Sequence, residues 1–133
     1  MNIDDVLSGL AATLDASIKD TTCHATVPDK LTPPCIVCTI EGITYATTFE
    51  GEMVAALGAT VVARRVDARA GQAKLHQYAE LTGDKSIVAA IKADPTLDGT
   101  VDSAVVLSAT PPGTVSVGGV DYIGMQFVLE AMG

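Results

Sequence analysis

This chain has no tryptophan, and all its aromatic residues together make up only 4% of it. A core without large rings must be built from Ala, Val, Leu and Ile. With hydrophobic residues at 48% of the chain, there are enough of them to exclude a disordered polypeptide. Cations are also scarce, with 8 Lys and Arg against 16 Asp and Glu for a net charge of −8. Binding to a phosphate backbone needs a clustered basic face, so nucleic-acid recognition is not the expected activity. No apolar run approaches the roughly 20 residues that cross a bilayer, and no membrane partner is expected. Residues 1–10, MNIDDVLSGL, place Asp4 and Asp5 where a secretory signal carries Lys or Arg, so no export signal is expected there. Three cysteines are an odd count, which suits a reducing cytoplasm better than a disulfide framework. A length of 133 residues is that of one domain, residues 1–133, large enough to bury a core.

Along the chain, Ile3, Val6, Leu7, Leu10, Leu14 and Ile18 recur at three- and four-residue spacing and predict an amphipathic helix over 3–18. Asn2 is placed to cap it, with Asp4 and Asp5 at the positive end of its dipole. Residues 19–34 read as a loop with one short extended piece at 24–27. Pro33-Pro34 then delivers an extended chain into CIVCTI, residues 35–40, a strand with both faces covered. Glu41-Gly42 reads as a turn and 43–49 as the returning strand. Residues 50–58 fit either a short helix or an irregular strand extension, and 59–66 a strand. A helix follows from a cap at Asp67 to Leu81, with Leu75, Tyr78, Ala79 and Thr82 along one side and Gly83 ending it. Ser86 caps a second helix over 87–93, which Asp94-Pro95 stops. Residues 102–109 form a strand, and a hairpin follows over 115–131 with Gly118-Gly119 at its tip. In its last strand Ile123, Met125, Phe127, Leu129 and Ala131 share one side. The order α-β-β-β-α-α-β-β-β predicts an α+β fold: a mostly antiparallel, mixed sheet with two to three helices packed on one face.

The residues that chemistry would use are few. Cys35 and Cys38 form a C-x-x-C, and Cys23-His24 adds a third thiol and an imidazole. Zinc pairs of this spacing sit in tight knuckles, whereas residues three apart on a strand point to opposite faces. A redox pair needs a helix N-terminus after its first thiol, and none is expected here. No metal or other cofactor is expected on these residues. His24 falls in a loop and His76 on the solvent side of a helix. No G-x-S-x-G, phosphate loop or H-E-x-x-H appears, and the eleven aspartates, apart from the adjacent Asp4 and Asp5, are scattered one at a time, mostly at caps and turns. The sequence thus points to no catalytic residues and to a protein that is not an enzyme. The one basic concentration, Arg64, Arg65 and Arg69 with Lys74 nearby, reads as a solvated face or one side of a subunit interface.

Taken over nearly all its length, the chain resembles the tail-terminator, or tail-completion, proteins of long-tailed bacteriophages, especially those of actinobacterial hosts. The resemblance lies in an order of signals. An amphipathic N-terminal helix leads to Pro33-Pro34 and a short apolar strand, then to a strand over 61–66 and a helix over 72–81 with a Leu/Tyr face. GDKSIVAAIKADPTLDGTV, residues 83–101, is the most telling part, and VGGVDYIGMQFVLE, residues 117–130, closes the chain. The resemblance implies a virion structural protein that forms a ring, typically of six copies. Such a ring caps the head-proximal end of the tail tube, ends tube polymerisation and joins the tail to the head connector. Its implied partners are other copies of itself, the tail tube protein and the connector or neck protein, with DNA passing through the channel without sequence-specific binding. It also implies that Cys35 and Cys38 stand where relatives carry ordinary apolar residues.

A ring needs a heterologous, head-to-tail interface, with one kind of surface on one side and its complement on the other. Arg64, Arg65 and Arg69 in an otherwise acidic subunit fit one half of such a contact, setting register more than affinity. Two alternatives stay open at this stage: another head–tail joining protein of the neck, or a small cytoplasmic enzyme or metal-binding module.

Overall fold

The structure is a computed structural model, and it describes residues 2–18, 21–27, 34–45, 53–63, 68–117 and 119–133, with no side-chain description at 68–72 and 74. Three helices, α1 (Ile3–Ser17), α2 (Ala68–Ala79) and α3 (Ile87–Ala93), accompany six strands. The strands are β1 (Thr22–His24), β2 (Cys35–Tyr45), β3 (Met53–Ala63), β4 (Ser103–Ala109), β5 (Gly113–Val117) and β6 (Val120–Met132). They form one sheet in the order β1-β2-β3-β6-β4, and β5 also pairs with β6. All pairs are antiparallel except β1 with β2. This is the expected α+β architecture with a mostly antiparallel mixed sheet.

Register decides what each face carries. β3 and β6 run side by side from Val54↔Met132 to Ala63↔Ile123. Strand alternation sends Ala55, Leu57, Ala59 and Val61 of β3, and Met125, Phe127, Leu129 and Ala131 of β6, to one face. There they join Val6, Leu10, Leu14 and Ile18 of α1, Leu75 and Tyr78 of α2, and Ile87 and Ile91 of α3 in the main core. All three helices therefore cover this one face. Strands too poor in aromatics to fill a thick layer are filled by aliphatic stripes, with Phe127 the largest side chain sealed inside. The other face carries a smaller cluster of Cys35, Val37, Val62 and Val117, onto which Val115 and Tyr122 of the β5–β6 hairpin pack.

The caps behave as their residue types require. Asn2 Oδ1 accepts from the Asp5 amide at 3.2 Å. Ser86 Oγ accepts from the Ala89 amide at 3.0 Å and donates to the Glu80 carbonyl, tying α3 to the end of α2. After α3, Asp94 accepts from the Thr96 hydroxyl at 2.7 Å and from the Asp98 amide at 3.0 Å, while Thr100 Oγ1 donates to the Leu97 carbonyl at 2.7 Å. The Thr96 hydroxyl, above all, holds the Asp94 carboxyl below its usual range. Leu97 and Asp98 take left-handed backbone, with φ of 48° and 60°, and Leu97 is nonetheless fully buried. The 94–100 turn thus presses Leu97 into the core beneath α1.

Several expectations are corrected. The extended piece expected at 24–27 is β1, Thr22–His24, lying parallel to β2. Glu41-Gly42 is not a turn: β2 continues to Tyr45, and the register steps from Ile40↔Leu57 to Gly42↔Ala56, leaving Glu41 as a bulge. Residues 46–49 of the expected return strand lie outside the described residues. The segment expected as a helix or strand extension over 50–58 and the strand over 59–66 are, where described, one strand, Met53–Ala63. α2 ends at Ala79, where Leu81 was expected, and Ala79 and Thr82 are exposed rather than lining its packed side. Gly83, at φ +116°, sits in the link beyond the helix. Asp67, the expected cap, lies outside the described residues. The element order matches the expected one, but its first three strands are differently drawn.

Candidate functional site

Cys35 and Cys38 fall on opposite faces of β2, Cys35 in the small cluster and Cys38 in the main core. Cys23 lies opposite Ile36 and packs against the main core, on the face that Cys38 shares. Two residues out of register on neighbouring strands, Cys23 and Cys38 have Cα atoms about 8 Å apart by strand spacing and rise. That exceeds the reach of an unstrained disulfide. Burial pushes the Cys38 thiol up to about 12, and burial together with the Asp15 charge does the same for Cys23. Thiolates are the nucleophiles and metal ligands, so these sulfurs keep their protons and act as small apolar side chains. Among the described residues no three His, Cys, Asp or Glu side chains gather as a metal site. His24 ends β1 at the sheet edge, and His76 is exposed on α2.

The helix-free face of the sheet carries a groove of about 490 Å³ between β2, β3, the 110–114 segment and β5. Thr39, Glu41, Thr60, Thr114 and Gln126 give it a polar lining. Strand alternation puts Glu41 on this face beside Thr39, in line with Val37. Its Oε1 accepts from the Thr39 hydroxyl at 2.7 Å and from Gln126 Nε2 at 3.2 Å. Gly58 makes room, since a Cβ there would meet Glu41 Oε1 at 2.5 Å. The carboxylate is thus held by hydrogen bonds from β2 and β6 over the space that Gly58 leaves on β3.

A second surface lies at the sheet's edge. β4 and β5 follow one another along the same side of β6, pairing with 127–132 and 120–124 respectively, so the outer side of β4 has no strand beside it among the described residues. Val105 and Leu107 on β4 are 53% and 56% exposed, and Leu107 is the extra residue where the register steps from Val106 to Ser108. Beside them, Leu81, Val88, Ile91 and Lys92 wall an apolar groove between α3 and β4. SAVVLSA carries no charge and no proline, two of the usual means by which an edge strand resists pairing, although its bulge is a third.

Of the residues expected at an interface, Arg64 and Arg65 lie outside the described residues, and Arg69 is described only as backbone in the first turn of α2. Glu41, Gln126, Val105 and Leu107 were not among the residues expected at a contact. Only the strand formers on both sides of Glu41-Gly42, CIVCTI and ITY, hinted that Glu41 lies within a strand. No family model matches the chain, and no curated protein matches it. No helix among the described residues is long and apolar enough to cross a membrane.

Proposed function

We propose that this protein is a virion structural subunit that assembles into a ring, of six copies by its resemblance to tail terminators. The ring caps the head-proximal end of a phage tail tube, ends tube polymerisation and joins the tail to the head connector. Its partners are further copies of itself, the tail tube protein and the neck or connector protein, and DNA passes through its channel without sequence-specific contact. It performs no catalysis and needs no cofactor.

The observation that carries this proposal is the lopsided sheet, taken with the chain-long resemblance. Among the described residues, helices cover one face, while the other face carries a polar groove and the β4 edge an apolar one. One open surface is polar and centred on a carboxylate, and the other is apolar and edged by unpaired strand backbone. Two unlike surfaces on one subunit suit head-to-tail contacts, which close into rings when the rotation permits. The Cys23 and Cys38 thiols keep their protons, and His24, next to Cys23 on β1, points to the opposite face of the sheet by strand alternation.

Light scattering and negative-stain microscopy of the purified protein, alone and mixed with preassembled tail tubes, test this. Closed rings, formed alone or on tube ends, are expected. A protein that stays monomeric at both would overturn the proposal, and binding to empty head connectors but not to tubes would reassign it to the neck.

A further inference from the structure

Resting on that ring assembly, we infer that neighbouring copies join by continuing one sheet, the outer edge of β4 pairing with the β2 edge of the next copy. β1 lies along β2 only at 35–37, and the chain then bends away at 25–27, bringing Val27 to the helix-free groove. Over 38–45, β2 pairs with β3 alone among the described residues, just as β4 pairs with β6 alone. Both segments carry exposed apolar side chains, Ile40 and Tyr45 at 38% and 68% on β2, and Val105 and Leu107 on β4. Open strand backbone beside such side chains is what strand addition uses.

The register selects a second copy as the occupant. Ser103 lies level with Thr44 by way of Met132 and Val54, and Ala109 with Cys38 by way of Phe127 and Ala59. The two edges thus stand at the same height on opposite sides of one sheet and match in length. Strand direction alternates from β2 through β3 and β6 to β4, so β4 meets the next β2 antiparallel. Contact without a shift along the strands adds copies by rotation rather than by climbing, which favours a closed ring over a filament. The faces match as well. Ile40, Ile43 and Tyr45 stand opposite Leu57, Ala55 and Met53 on the helix side, the bulge at Glu41 keeping Ile40 and Ile43 on one face. In a continued sheet they meet the apolar groove between α3 and β4, walled by Leu81, Val88 and Ile91. Charge is complementary between the two sides. α1, packed on β1 and β2, carries Asp4, Asp5 and Asp15 and no Lys or Arg, while α3, packed on β4, carries Lys92 and no Asp or Glu.

Two variants of the full chain test the contact. Val105→Lys/Leu107→Lys puts charge on the β4 edge at two exposed positions, so its melting curve should match wild type while association weakens at least tenfold. Ser103→Cys/Thr44→Cys places two exposed thiols directly opposite each other across the contact, within reach of a disulfide. On oxidation it should give a ladder of linked copies up to the full ring on a denaturing gel, and each single cysteine variant should give none. Rings of the lysine variant as stable as wild type, or wild-type rings with no ladder from the cysteine pair, would overturn the sheet contact while leaving ring assembly intact. Linked dimers from Ser103→Cys alone would also overturn it, because β4 would then face its own kind across a two-fold axis. A wild-type protein that never assembles, alone or on tubes, fails the ring proposal itself and this contact with it.

Discussion

Replacing Gly9 of α1 with alanine should destabilise the protein, against the usual sign for a glycine inside a helix. On an exposed helix face the change gains about 1 kcal/mol, because alanine has the better propensity and loses less backbone entropy. Gly9 is buried, and a Cβ there would overlap the carbonyl oxygen of Leu97 and sit 2.8 Å from Thr100 Oγ1. That carbonyl has little room to retreat, since it accepts from the Thr100 hydroxyl within a turn whose Leu97 and Asp98 are held in left-handed backbone. Overpacking of this kind costs about 2–3 kcal/mol at the upper end of its usual range, leaving a net loss of about 1–2 kcal/mol. For a chain of 133 residues, an unfolding entropy of about 2.1 cal/mol/K per residue converts this to a Tm lower by about 4–7 °C. Gly42→Ala is the control. Gly42 has nothing within 4 Å of its Cβ position and no positive φ, so its Tm should hold or rise by a degree or two. Differential scanning calorimetry reads both, and a Gly9→Ala protein as stable as wild type, or more so, would mean that α1 does not rest on the 97–100 turn.

The thiols and the hairpin tip give two further outcomes. Replacing Cys35 and Cys38 together with Val or Ala should leave a folded protein without bound metal and cost about 1–2 kcal/mol; stoichiometric zinc in the wild type, by elemental analysis, would refute the apolar role. The folded state raises the Cys38 thiol from 9.0 to about 12, so it keeps a proton that the unfolded chain gives up. That contribution is complete below about pH 9 and is lost as pH rises toward 12, so thermal stability should decline across that window and decline less in the double variant. Gly119, at φ +82°, should tolerate Val poorly, with a loss of about 1 kcal/mol or more, and an unchanged Tm for Gly119→Val would mean that the tip is not held in left-handed backbone.

Helices were legible because their signals are local. The spacing of Val6, Leu10 and Leu14 fixes the buried stripe of α1, and Ser86 and Asp94 bracket α3 at its observed ends. Alternation through β6 was equally plain. What escaped depended on pairing between distant segments. A Glu-Gly dipeptide reads as a turn until β3 is seen to stay paired across it, where Glu41 becomes the extra residue of a bulge within one continuous strand. Gly58, next to that carboxylate, carries no local mark of its role. The exposed Val105 and Leu107 look like core in sequence, but Val105 pairs with Glu130 on the face away from the helices and Leu107 is the bulge residue. The divergence of Cys35 and Cys38 followed from strand parity alone, whereas the arginine cluster at 64–69 showed charge without a partner.

Electron microscopy of particles assembled without this protein tests the central claim most directly. A ring that ends tube polymerisation and presents the tail to the head predicts tails of uncontrolled length and heads left without tails. Normal-length tails joined to heads would contradict it.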